Sequence, residues 1–182
     1  MRRVHWVLVF VCLLLCGCGG DGSPTSPTPG PRTRTFLSFV SEPGDYIGQG
    51  ETRMYFLEDG KWNARVDLGV AEPNHVVVSV FPHNFAEGWW WTLNFSAPQG
   101  HSLKPGAYED ARRWPFAGAQ PGLDFSGTGR GCNTLTGRFV IRELVVGPGN
   151  TLDRFHATFE QHCEGASPAL RGEVRVLTDP WR

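Results

Sequence analysis

The chain is short of charge, of cysteine and of long apolar runs, and each shortage removes a class of protein. Only 19% of its 182 residues are charged and the formal net charge is −1, so no basic face is available to neutralise a nucleic-acid backbone. After the leader there is no apolar run of about 18 residues, which argues against a transmembrane helix in the body of the chain. No stretch keeps a 3.6-residue apolar period for three turns, so helices should be scarce. Neither a Gly-x-Ser-x-Gly nucleophile elbow nor a His-Glu-x-x-His zinc motif occurs. Five cysteines are present, but Cys12, Cys16 and Cys18 fall in or at the end of an N-terminal leader, leaving Cys132 and Cys163 for the rest. An even remainder fits an oxidising compartment.

The leader opens on Met1-Arg2-Arg3 and continues in an apolar run from Val4 to Leu15, the length of a signal-peptide core and too short to span a membrane. It ends in Leu15-Cys16-Gly17-Cys18. This resembles the bacterial lipoprotein signal, in which a Leu three positions before and a small residue just before precede the cysteine that is lipidated and becomes the mature N-terminus. Cys18 has Leu15 and Gly17 in those places, whereas Cys16 would have Leu15 directly before the cut. The alternative is an ordinary secretory signal with an incidental cysteine. The resemblance implies a signal peptide over 1–17, a lipid anchor at Cys18 and a location in the cell envelope. Gly19 in place of Asp after the lipidated residue implies the outer membrane, if the cell has one. Residues 18–33 then form the lipidated N-terminus and a tether. Its GGDGSPTSPTPGP segment cannot bury apolar area and should reach up to roughly 40 Å as an extended spacer.

Residues 34–182 leave about 150 positions, enough for one domain with a real core. From Thr35 on, short β-patterned runs alternate with turns rich in the chain's 23 Gly and 14 Pro. The runs are 35–40, 52–57, 61–68, 75–81, 89–96, 137–146, 152–163 and 170–178. Asp59-Gly60 suits a tight hairpin turn between the second and third. His75–Phe81 is dense in β-branched residues and reads as a central strand buried on both faces. Alternation sends Phe155, Ala157, Phe159 and Cys163 inward, with Leu170, Val174 and Val176 of the last run. Arg154, His156, Thr158, Glu160 and His162 should face out, as should Arg171, Glu173 and Arg175. The expected fold is all-β: a single antiparallel β-sandwich or jelly-roll-like domain with one disulfide.

The disulfide expectation comes from hairpin arithmetic. Residue numbers paired in an antiparallel hairpin are symmetric about the turn, and the midpoint of Cys132 and Cys163 falls between Gly147 and Pro148, inside a strong turn signal. Closing a loop of about 30 residues is worth on the order of 3–4 kcal/mol.

At GRGCNTLTGRF and FEQHCEG-SPALRG the chain resembles a family of uncharacterised secreted bacterial domains. The SEPGDYIGQG loop and the WTLNFSAPQG segment with the LKPGAY run after it belong to the same pattern, so the likeness covers most of Phe36–Val176. It implies a disulfide-linked β domain, tethered or appended to other secreted modules. It carries no established activity, so no functional residue is transferred.

Candidate chemistry is sparse. Glu42, Asp45 and Glu51 crowd one loop and are weak calcium candidates without EF-hand spacing. His156 and His162 lie about 20 Å apart on a strand and cannot share one zinc ion. Glu109, Asp110, Glu143 and Glu160 are the carboxylates from which a glycan hydrolase would draw, the alternative to a non-enzymatic module. No cofactor is implied. Trp90, outward beside Thr92 and Asn94 if Trp91, Leu93 and Phe95 point in, is a stacking platform for a sugar ring or a protein partner. Trp62 and Trp114 are further candidates. Arg130 and Asn133 beside Cys132, and His162 and Glu164 beside Cys163, should cluster around the disulfide, either as a polar site or as hydrogen-bonding partners of the loop ends. The membrane, through the lipid, and a polysaccharide or envelope protein are the expected partners.

Overall fold

Ten runs become strands in the computed structural model, which describes residues 34–69 and 73–178; Cys18 and the tether lie outside the described residues. The strands are β1 (Phe36–Ser41), β2 (Thr52–Phe56), β3 (Gly60–Leu68), β4 (Pro73–Pro82), β5 (Trp91–Ser96), β6 (Gly106–Arg113), β7 (Gly122–Gly127), β8 (Leu135–Val146), β9 (Leu152–Cys163) and β10 (Leu170–Leu177). Among the described residues they form one sheet in the order β2-β1-β10-β9-β8-β6-β7-β5-β4-β3. Every pairing is antiparallel except β6 with β7.

The two edge strands, β2 and β3, are joined through only Leu57–Asp59, a single 3-10 turn. Edges so close in sequence cannot be far apart in space, so the sheet curls until it nearly closes into a barrel. The two layers of the expected sandwich are therefore halves of one sheet. Side chains cover the seam: Trp62 donates from its indole to the Phe56 carbonyl (3.1 Å), and Tyr55 stacks on Trp89 (4.5 Å between rings). The expected hairpin at Asp59-Gly60 does not form. Gly60 is extended (φ −173°) and begins β3, while Asp59 accepts from the Phe56 N–H (2.7 Å), so the chain swings out of β2 instead of folding back along it.

The interior is a packed core with an aromatic spine. Trp91 sits 4.9 Å from Phe39 and 5.1 Å from Phe125; Phe125 and Phe95 both reach Phe159, at 5.4 and 6.0 Å. Phe155, Ala157, Phe159, Cys163, Leu170, Val174 and Val176 are all buried, as alternation requires. Gly172, opposite Phe159 in the β9–β10 ladder, is glycine for space, since a Cβ there would collide with the Phe159 ring. β4 is buried on both faces from His75 to Val78.

The same alternation sends Gln161 inward, where it is fully buried. It accepts from the Phe125 N–H (2.9 Å) and donates to the Phe125 carbonyl (2.8 Å). β6 pairs with β7 only at Gly122 and Leu123, so farther along β7 the Gln161 amide stands in for the missing neighbour.

Cys132 and Cys163 form the disulfide, with Cα atoms 5.2 Å apart. The β8–β9 ladder pairs Cys163 with Leu135, three residues past Cys132, because the turn centres on Gly149 (φ 70°), not on Gly147-Pro148. Cys132 reaches its partner from the loop before β8, which Glu164 folds back over the end of β9.

Candidate functional site

That fold-back builds the floor of an open groove of about 490 Å³ at the disulfide end of the barrel. Glu164 sits in a left-handed conformation (φ 54°) just past β9 and aims its carboxylate at the oncoming loop. It accepts from the N–H groups of Asn133 and Thr134 and from the Thr134 hydroxyl (3.1 Å), while its own N–H donates to the Thr134 carbonyl (3.0 Å). The Asn133 N–H, foremost among these donors, holds the Glu164 carboxyl below the usual carboxylate range.

The opposite wall comes from the end of β6 and the loop after it. Arg112 pairs with Thr136 of β8, and both side chains are exposed. Arg113 lays its guanidinium over the Phe116 ring at 5.2 Å and reaches the Asn133 carbonyl (3.4 Å), while its Nε is buried without a hydrogen-bond partner. Phe116 is 74% exposed, the most exposed large apolar side chain among the described residues. None of the ion pairs among the described residues involves Arg112 or Arg113.

Next to the groove, the outer face of β4, β5 and β7 carries a polar cluster that is covered instead of open. Trp114 stacks on His75 (4.4 Å between rings). His75 lies between Asp67 (3.0 Å from Nδ1) and Asn94 (3.1 Å from Nε2), and Asp124 accepts from the Ser126 hydroxyl (2.8 Å). Burial, the largest influence on each, pushes His75 below and Asp124 above their ordinary values. The hydrogen bonds of His75 oppose its shift; Ser126 and the field of Arg113 oppose that of Asp124.

The residues expected to carry function are dispersed. Trp91, Leu93 and Phe95 are buried and Trp90 is 36% exposed, as expected. Asn94, however, is buried against His75, and Thr92 bonds Ser79, so no polar platform flanks Trp90. The expected cluster around the disulfide divides three ways. Asn133 and Glu164 clasp each other in the groove; Arg130 donates to the Ile47 carbonyl (2.8 Å) and so holds the SEPGDYIGQG loop; His162 faces outward and bonds the Ser167 carbonyl (3.0 Å) and Glu160 (3.4 Å).

The calcium candidates do not converge. Glu42 pairs with Arg171 and accepts from the Ala169 N–H (3.0 Å), whereas Asp45 turns one oxygen inward to the Ser41 hydroxyl (2.8 Å) and the Gly48 N–H (2.7 Å). The other Asp45 oxygen is buried without a partner, but among the described residues no three His, Cys, Asp or Glu side chains come together as a metal site. Of the carboxylates weighed for glycan cleavage, Glu143 and Glu160 are ion-paired to arginines.

Sequence reasoning missed Phe116 and the Arg112–Arg113 pair. The only local signal was Arg-Arg-Trp-Pro-Phe, a basic and aromatic turn whose partners lie at 133–136 and 164. No family model, curated protein or solved structure matches the chain.

Proposed function

We propose that the chain is an envelope protein anchored through a lipid on Cys18, whose β domain is a non-enzymatic module that binds polysaccharide at the groove beside Cys132–Cys163. The observation that carries the binding reading is Phe116, an aromatic ring left 74% exposed and backed by a guanidinium. Leaving such a ring in water forgoes the stabilisation its burial would bring, and a flat ring with polar neighbours is what a sugar face stacks on. The leader pattern and the buried cystine support the envelope location, since disulfides persist in oxidising compartments.

Two experiments test this. Palmitate labelling of the full chain expressed in a bacterium should be abolished by Cys18→Ala and retained in Cys16→Ala; labelling that survives Cys18→Ala removes the anchor. Full-length protein in detergent, applied to a glycan array, should bind at least one polysaccharide and lose that binding with Phe116→Ala. An empty array would overturn the polysaccharide reading and leave a protein partner as the ligand class to pursue.

A further inference from the structure

Resting on that reading of the groove, we infer that its ligand is an acidic polysaccharide, recognised through ring carboxylates of the uronic-acid type. The charge of the groove carries the inference. Arg112 and Arg113 contribute two cations to one wall, and neither is ion-paired among the described residues. Four arginines on the outer faces of β8, β9 and β10 are treated differently. Arg138 and Arg171 meet Glu160, Arg154 and Arg175 meet Glu143, and Arg171 also meets Glu42.

Glu164, the one acid lining the groove, stays ionised but offsets only one of the two cations, and its oxygens are held by Asn133 and Thr134. Asp124, which interacts with Arg113 through its field, is buried beside Ser126 and does not line the groove. The charged side chains lining the groove thus leave one cation in excess, in a protein of net charge −1. A carboxylate is the acceptor that fits a guanidinium in a two-pronged contact.

The rest of the groove matches a sugar better than other anions. Phe116 offers a flat face beside the charges, and the exposed Thr136 lines the same space. A protein partner would need roughly 800 Å² of surface with several clustered anchors, whereas this groove has one exposed ring. Nucleic acid would need a run of cations, and here there are two.

The test is calorimetric titration of the full chain in detergent with a galacturonate decamer, its methyl ester and polyglutamate. The acid form should bind, and the ester should bind roughly tenfold or more weakly. Phe116→Ala and the Arg112→Gln/Arg113→Gln pair should each weaken binding of the acid form by roughly tenfold, while Arg171→Gln, outside the groove, should leave it unchanged. Folding of each variant is checked by circular dichroism.

Equal affinity for acid and ester would overturn carboxylate recognition while leaving the polysaccharide reading intact, as would binding only of neutral glycans on the array. Binding of polyglutamate as tight as that of the decamer would overturn sugar recognition in favour of charge alone. No binding of the decamer by a folded protein overturns the inference; if the array is empty as well, the reading beneath it falls too.

Discussion

The outer face of β8–β10 and the groove beside the disulfide both carry arginines, and they use them in opposite ways. On the strand face antiparallel register brings Arg138, Glu160 and Arg171 into one row, and Glu143 meets both Arg154 and Arg175. The result is a surface on which these four arginines are matched by acids. In the groove the arginines come from the end of β6 and the acid from the end of β9, and the acid is spent on backbone N–H groups. Regular pairing neutralises charge, and irregular loop ends leave it available. The strand face rests on side-chain ion pairs in solvent, whereas the groove rests on the cystine and on the hydrogen bonds of Glu164 to backbone N–H groups.

That difference predicts a ranking of effects. Replacing both Cys132 and Cys163 by Ser should cost about 3–4 kcal/mol in denaturant unfolding, because the bridge closes a 31-residue separation in the unfolded chain. A loss below about 1 kcal/mol would mean that the Glu164 clasp alone holds the groove.

Gln161→Leu comes next. It leaves the buried N–H and carbonyl of Phe125 without partners and should cost about 2–4 kcal/mol, with core volume nearly conserved. A neutral result would show that β7 needs no partner beyond β5 at that point.

A smaller effect concerns pH. Burial keeps His75 below the ordinary imidazole value of about 6.5, so over that window the unfolded chain binds the extra proton. Stability should therefore rise with pH up to about 6.5 and fall on acidification below it, and His75→Gln should flatten that slope. Trp114→Ala should move the His75 titration, followed by NMR, back towards the ordinary value; an unmoved titration would show that the stacked indole is not what buries it.

The smallest effect belongs to the strand face. Arg171→Gln should lower stability only slightly, and the difference should vanish at about 0.5 M salt, because its partners are partly exposed and screened. A loss comparable to that of the cystine would erase the contrast between the two regions.

Some of the molecule was legible in the chain because strand alternation is local. Phe155, Ala157 and Phe159 had to share a face, and Arg154, His156 and Thr158 had to share the other. Gln161 was on the inward parity too, but nothing near it in sequence named its partner 36 residues away. β6 and β7 were not foreseen as strands. GAYEDARR breaks its alternation at the bulge between Tyr108 and Ala111, where Asp110 takes φ 55°, and GLDFSG opens and closes on glycine. The groove depends on both of those elements, so it stayed invisible with them. Alternation does place Trp90 outward, but its value as a platform depends on whether Asn94 is covered, which His75 on β4 and Trp114 in the turn after β6 decide.

By itself the sequence determined an all-β domain, the cysteines that pair, and the side chains that face in or out along β9 and β10. Those follow from a two-residue period and from a hairpin whose ends are close in number. Only the tertiary structure decided that β2 and β3 meet as edges, that Gln161 replaces a strand, and that two arginines and a phenylalanine stand over the disulfide. One alternating pattern is compatible with many strand orders, and the choice among them is made by contacts distant in sequence.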